Sequence, residues 1–178
     1  MNTKQPILTT ARNTIASESK AIANLSELLT DDFANAVELI YNSKGRVIIT
    51  GIGKSAIIAN KIVATLNSTG TPAIFMHAAD AIHGDLGLIL DDDVVICISK
   101  SGNTPEIKVL VPLIKNADNK MIAITGNVNS FLGQQADFVL NTYVEQEACP
   151  NNLAPTTSTT AQLVMGDSLA VCLLELRG

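Results

Sequence analysis

From residue 45 onward the chain alternates between two patterns. Short apolar runs, Val47-Ile48-Ile49-Thr50, Ala73-Ile74-Phe75-Met76, Val94-Val95-Ile96-Cys97-Ile98, Met121-Ile122-Ala123-Ile124 and Phe138-Val139-Leu140, are mostly separated by stretches with helical spacing. The runs lack the polar alternation of a half-exposed sheet, so they read as strands covered on both faces. Buried strands joined through helices predict the α/β class: a three-layer, doubly wound sandwich around a five-stranded parallel sheet. Residues 10 to 44 read instead as helical, with a break at Thr30-Asp31-Asp32, where threonine caps well and the acids suit a first turn. A last helix is expected from about residue 159 through 176, after the turn-rich segment Cys149-Pro150-Asn151-Asn152-Leu153-Ala154-Pro155. The expected organisation is a helical segment, 1–44, packed on a core spanning 45–178, with no low-complexity linker and no second core.

Composition narrows the setting. At 178 residues the expectation is one domain. The chain is 47% hydrophobic, yet its apolar runs fall far short of the roughly 20 residues that span a bilayer, which argues against a membrane partner. The charged fraction of 16% lies below the roughly 25% of ordinary domains, so part of the surface is expected to be buried in a homo-oligomer. A net charge of -5 argues against nucleic acid, which calls for a basic face. Cys97, Cys149 and Cys172 form no Cys-x-x-Cys pair, and Met1-Asn2-Thr3-Lys4-Gln5 carries no apolar signal core, so a reducing cytoplasm is expected. Cys97 and Cys172 lie in apolar runs and read as small buried hydrophobes.

In doubly wound sheets ligands bind outside the carboxyl ends of the strands, which directs attention to five segments. Gly51-Ile52-Gly53-Lys54-Ser55-Ala56 formally matches a permissive dinucleotide fingerprint. However, the second run ends Met76-His77, without the acid that a ribose needs. Ile48 likewise stands where a Walker A loop needs its first glycine. The glycines instead allow close approach of a ligand, and Lys54 adds a cation. Ser99-Lys100-Ser101-Gly102-Asn103-Thr104-Pro105-Glu106 opens a helix with hydroxyls and free N–H groups, a cradle for phosphate. Here Asn103 and Glu106 also have the spacing of a capping box, so Glu106 could serve the helix alone. His77 and His83 fall within seven positions of each other, but no third ligand is nearby for zinc, and polar loop histidines are the ordinary alternative. Glu145-Gln146-Glu147-Ala148-Cys149-Pro150 places a carboxylate after the last strand, which alone would pass for a solvated loop. Pro155-Thr156-Thr157-Ser158-Thr159-Thr160 holds five hydroxyls where one would cap a helix, and this excess suggests a hydrogen-bonded oxyanion.

Taken together, Gly51-Ile52-Gly53-Lys54-Ser55, His83-Gly84-Asp85-Leu86-Gly87, Ser99-x-Ser101-Gly102, Glu147-Ala148-Cys149-Pro150 and Ala154-Pro155-Thr156-Thr157-Ser158-Thr159-Thr160 occur in an order and spacing that resemble the sugar isomerase (SIS) domain family. Within it, the histidine and Glu-Ala-Cys-Pro segments resemble the arabinose 5-phosphate isomerase branch. The resemblance runs from about residue 10 to the end. It implies a cofactor-free, metal-free aldose–ketose isomerase that interconverts D-ribulose 5-phosphate and D-arabinose 5-phosphate through a cis-enediol(ate), feeding synthesis of Kdo for lipopolysaccharide or capsule.

By the same resemblance Lys54, His83, Glu106 and Glu147 fall on catalytic positions. Glu147 is expected as the enediol base, Lys54 as the cation nearest the oxyanion or phosphate, Glu106 as an acid/base or orienting partner, and His83 in ring opening or hydroxyl positioning. Gly53, Ser55, Ser99, Ser101, Gly102, Asn103, Thr104, Thr156, Ser158 and Thr159 are expected to bind the sugar phosphate. Cys149 is read as structural, because the reaction needs no covalent intermediate. Members of the family usually continue into a segment with a further catalytic histidine, and many carry paired CBS domains. The chain ends at Arg177-Gly178, which reads as a piece of a longer protein lacking both. The resemblance also implies tetramers with sites shared between subunits. Alternatives are a sugar-phosphate sensor, which has no use for Lys54, His83 and Glu147 together, and an isomerase of another phosphosugar.

Overall fold

The computed structural model describes residues 3–178. Five parallel strands, β1 (Val47–Gly51), β2 (Ala73–His77), β3 (Val94–Ser99), β4 (Met121–Thr125) and β5 (Phe138–Asn141), form one sheet in the order β2-β1-β3-β4-β5. β1, β3 and β4 are buried along their whole length, as their unbroken apolar character requires.

Two cores lie on opposite faces. One joins Ile49, Ile96 and Ile122 to helices α1 (Lys4–Leu25), α2 (Asp31–Asn42), α3 (Lys54–Ser68) and α7 (Thr157–Arg177). The other joins Ile48, Val95 and Ala123 to α4 (Ala78–Ala81), α5 (Pro105–Asn116) and α6 (Phe131–Gln135). The alternation of Ile48 and Ile49 between the two cores is the period-two geometry of a strand expressed in a sheet with no wet face. Each fully buried isoleucine contributes roughly 1.5–3 kcal/mol of burial free energy. The layered sandwich expected from the apolar runs is therefore what the chain forms.

The helical segment breaks where expected. A 3-10 turn (Ser26–Leu28) follows α1, and Thr30 precedes α2 in extended backbone, although its hydroxyl makes no capping bond. α1 begins at Lys4, earlier than residue 10, and α7 at Thr157, two residues before the expected start. α7 is long and apolar enough to cross a membrane. Its buried stripe, including Ala161, Met165, Leu169 and Leu173, packs instead into the first core, which makes it a core helix.

The pairing register fixes the site. Gly51 lies opposite both His77 and Ile98, and Ser99 lies opposite Thr125, so the strands end level with one another. After β1 the chain crosses to β2 on one side and then to β3 on the other. The carboxyl ends of β1 and β3 are thus the switch point at which such sheets leave a crevice.

Candidate functional site

Two loops leave the switch point, and each depends on one glycine. Gly53 has φ +59° and ψ -128°, a conformation open to glycine and strained for other residues, and it turns the chain so that Lys54 is the first residue of α3. In the loop after β3, Gly102 has φ +63°, and a Cβ there would lie 2.0 Å from Ser130 Oγ. The rest of that loop is tied down by polar bonds. The Gly102 N–H donates to Ser99 Oγ at 3.1 Å, the Asn103 N–H donates to Ser101 Oγ at 3.3 Å, and Asn103 Oδ1 accepts from the Phe131 N–H at 3.1 Å.

The capping box anticipated at Asn103 and Glu106 does not form. α5 starts at Pro105, with Thr104 as its N-cap, because proline's fixed φ suits the first helical position and shifts the frame by one. Thr104 makes no side-chain capping bond, and its Oγ1 is buried without a partner. A buried hydroxyl left unpaired at a helix N-terminus costs free energy that an anion in the adjoining space would recover.

That space is a cavity of about 250 Å³. Lys54 and Ser55 line it from the β1 side, and Ser99, Lys100, Ser101 and Thr104 from the β3 side. Ser158, Thr159 and Gln162 close it from α7. Its volume falls below the roughly 300–1,000 Å³ of pockets for drug-sized ligands, which suits a small polar molecule. A larger groove of about 940 Å³, bordered by Lys44, Asp91, Asp92 and Asp118, lies at the amino ends of the strands, away from these loops.

The hydroxyl-rich segment does bind an oxyanion, but the oxyanion belongs to the chain. Glu147 is buried and accepts five hydrogen bonds: from Lys100 Nζ at 2.6 Å, the Thr156 N–H at 2.8 Å, Thr156 Oγ1 at 3.2 Å, the Ser158 N–H at 3.1 Å and Ser158 Oγ. Burial alone would raise its pKa. The Lys100 ammonium, the Ser158 hydroxyl and the two N–H groups outweigh that and hold it at about 2. Glu147, expected as the enediol base, thus stands in this structure as an anion clamped by five hydrogen bonds.

Several hydroxyls expected to bind phosphate are engaged within the chain. The hydroxyls of Thr156 and Ser158 serve Glu147, Thr159 Oγ1 donates to the Thr156 carbonyl at 2.8 Å, and Ser55 Oγ donates to Gln162 Oε1 at 3.2 Å. Ser99 and Ser101 act as acceptors in their loop and keep a hydroxyl proton to donate, and Thr104 Oγ1 is unengaged.

Not every expected residue reaches the cavity wall. Gly53, Gly102, Asn103 and Thr156 shape the loops around it, and Glu106 is half-buried in the first turn of α5. His83 is exposed in the segment between α4 and β3, and His77 ends β2 with Nδ1 buried, 3.8 Å from Asp80 Oδ2 and without a hydrogen bond. Among the described residues, no group of three His, Cys, Asp or Glu side chains could hold a metal ion. Cys149 is half-buried, and the N–H groups of Ala154, Leu153 and Asn151 lower its pKa, which knits the turn that carries Glu147. Sequence reasoning missed Lys100 and Gln162. Lys100 stands between Ser99 and Ser101, where attention to the serines hid a second cation.

The family model described as SIS domain matches residues 39–172. Arabinose 5-phosphate isomerase KdsD of Pseudomonas aeruginosa is 52% identical over 168 residues, covering 94% of this chain and 52% of that protein. Arabinose 5-phosphate isomerase KpsF of Escherichia coli O6:H1 is 50% identical over 172 residues, covering 96% of this chain and 53% of that protein. The chain thus spans about half the length of the curated relatives it matches. A solved structure of an E. coli CFT073 protein in complex with arabinose 5-phosphate superposes with a TM-score of 0.95 at 39% identity, covering 99% of this chain and 94% of that one.

Proposed function

The chain belongs to the SIS domain family, and from that premise we propose that it is an aldose–ketose isomerase interconverting D-ribulose 5-phosphate and D-arabinose 5-phosphate. The observation that carries this reading is the small cavity at the switch point. It joins an unpaired Thr104 hydroxyl at a helix N-terminus to two lysines, and the second lysine holds a buried carboxylate. Relatives named arabinose 5-phosphate isomerase and the solved complex with arabinose 5-phosphate support the choice of substrate.

The phosphate is placed at the start of α5, against Ser101, Thr104 and the free N–H groups, where hydroxyls and helix dipole favour a dianion. A base takes a proton from C1 of ribulose 5-phosphate. The electrons collapse toward the C2 carbonyl to give an enediolate; transfer of the O1 proton to O2 and return of the abstracted proton to C2 re-form a carbonyl at C1 and yield the aldose. Lys54 lines the cavity and supplies positive charge for the developing oxyanion. Glu147 is the base in this reading, Glu106 an acid/base or orienting partner, and His83 a group that opens the ring or positions hydroxyls. A carboxylate held at about 2 is far less basic than a proton abstractor suited to neutral pH, so Glu147 must lose a donor before it acts.

His83 lies on the surface rather than on the cavity wall, and Ile57 and Val109 are more than half exposed. Both observations favour a homo-oligomer in which subunits share sites, which this reading takes to be a tetramer. The reaction is assigned to the cytoplasm, supplying Kdo for lipopolysaccharide or capsule.

A panel of pentose and hexose phosphates tests the reading. Turnover confined to the ribulose and arabinose 5-phosphate pair, falling by about 10²–10⁴-fold in Glu147→Gln, is the expected result. Turnover of a hexulose phosphate alone would move the reaction to another phosphosugar, and tight binding without turnover would make the chain a sensor.

A further inference from the structure

Lys100 is the one member of the Glu147 cluster that also faces the cavity with a flexible side chain. Its side chain is 48% exposed, whereas that of Glu147 is fully buried, so the ammonium reaches from the open cavity down to a carboxylate that solvent does not touch. One of its three N–H groups is used by Glu147 Oε1. Its backbone is fixed, because the Lys100 carbonyl accepts from the Gly126 N–H at 3.0 Å and from Thr125 Oγ1 at 3.4 Å. Only the four-carbon stem can move. Glu147, in contrast, would keep four hydrogen bonds if the ammonium left, so release of Lys100 does not strand a bare buried charge.

We propose that Lys100 is a switching counter-ion: a phosphate dianion entering the cavity draws its ammonium away from Glu147, so that phosphate binding itself frees the carboxylate to act. Three features of the site support this. Lys100 and Thr104 line the same small cavity, so a dianion seated at the start of α5 lies within a lysine's reach. A dianion competes well against a monoanion that four other donors already satisfy. The lysine is also the strongest cationic contribution keeping Glu147 acidic, so its departure is what restores basicity. The proposal makes Lys100 a phosphate-binding and positioning residue for Glu147. Its catalytic consequence rests on the isomerase reading, whereas the exchange itself does not.

The test uses the whole chain with inorganic phosphate as probe. Calorimetry is expected to show phosphate binding weakened about ten- to a hundredfold in Lys100→Met, as loss of a charge-assisted hydrogen bond implies, with Lys100→Arg retaining most of the affinity. In wild type, saturating phosphate at constant pH is expected to shift the ¹³C carboxyl resonance of Glu147, and in Lys100→Met it is not. With ribulose 5-phosphate, Lys100→Met is expected to raise KM while leaving kcat equal or higher, a split that a purely structural salt bridge does not produce. Equal phosphate affinity in wild type and Lys100→Met, or a Glu147 resonance that phosphate does not move, would overturn the proposal. Lys100-dependent phosphate binding without turnover of any sugar phosphate would leave the exchange standing and overturn the isomerase reading instead.

Discussion

Two buried carboxylates, one near each end of the sheet, show how the same physics yields a staple in one place and a site in the other. Before β3, Asp93 is buried against Arg46, with Nη2 to Oδ2 at 2.6 Å and Nε to Oδ1 at 3.2 Å, and it also accepts from the N–H groups of Arg46 and Leu90. Beyond β5, Glu147 is buried against Lys100 and four further donors. In both, burial raises the pKa and the partners more than reverse it. What differs is the cation. The guanidinium fork of Arg46 is fixed by two contacts to Asp93 and a third to the Leu88 carbonyl at 2.8 Å, so three of its five N–H groups hold it in one geometry. Lys100 is a point charge on a mobile stem, half exposed, with one bond to Glu147. A fork held at several points ties two loops together. A mobile cation held at one point can exchange partners.

Removing each cation in turn is expected to have unequal effects. Arg46→Met strands a buried, multiply bonded Asp93, and a loss of about 3–5 kcal/mol in chemical denaturation is expected. Lys100→Met, which leaves Glu147 four donors, is expected to cost about 1–3 kcal/mol, the value of one charge-assisted bond. Equal losses would erase the distinction. Lys54→Met removes an exposed cavity cation that packs no core, so turnover is expected to fall by about 10²–10³-fold, the range for losing one preorganised stabiliser, with thermal stability unchanged.

Acid acts on the Glu147 cluster directly. Folding lowers the proton affinity of Glu147 from 4.5 to about 2, so the unfolded chain binds more protons and stability falls with falling pH. The contribution is whole above the unfolded value of 4.5, on the order of 3 kcal/mol, and is lost progressively as pH drops toward 2. Denaturation midpoints measured across that window are expected to fall less steeply in Glu147→Gln. The smallest effect is assigned to Thr104→Val. Deleting an unpaired buried hydroxyl is expected to leave stability equal or about 1 kcal/mol higher, while phosphate affinity drops about fivefold.

The fold was legible because its signal is redundant. Strand runs such as Val94-Val95-Ile96-Cys97-Ile98 must lie between two apolar layers, and five of them joined by helices leave few topologies. The motif positions were legible too, since Lys54, Ser99, Ser101, Thr104 and Ser158 do meet at one cavity. Partner choice was not. Nothing in one dimension says that the Thr156 and Ser158 hydroxyls face Glu147 rather than a ligand, because that depends on how the turn through Cys149 and Asn152 folds back on α7. Lys100 escaped notice for a related reason: its importance comes from a carboxylate 47 positions away. The capping box failed locally, where Pro105 took the first helical position.

Proton transfer through an enediol in this cavity is tested by proton NMR of the chain with ribulose 5-phosphate in D₂O. Arabinose 5-phosphate is expected to appear, with deuterium at C2 to the extent that the abstracted proton exchanges with solvent, and with strong loss in Glu147→Gln. Formation of arabinose 5-phosphate undiminished in Glu147→Gln would overturn this chemistry.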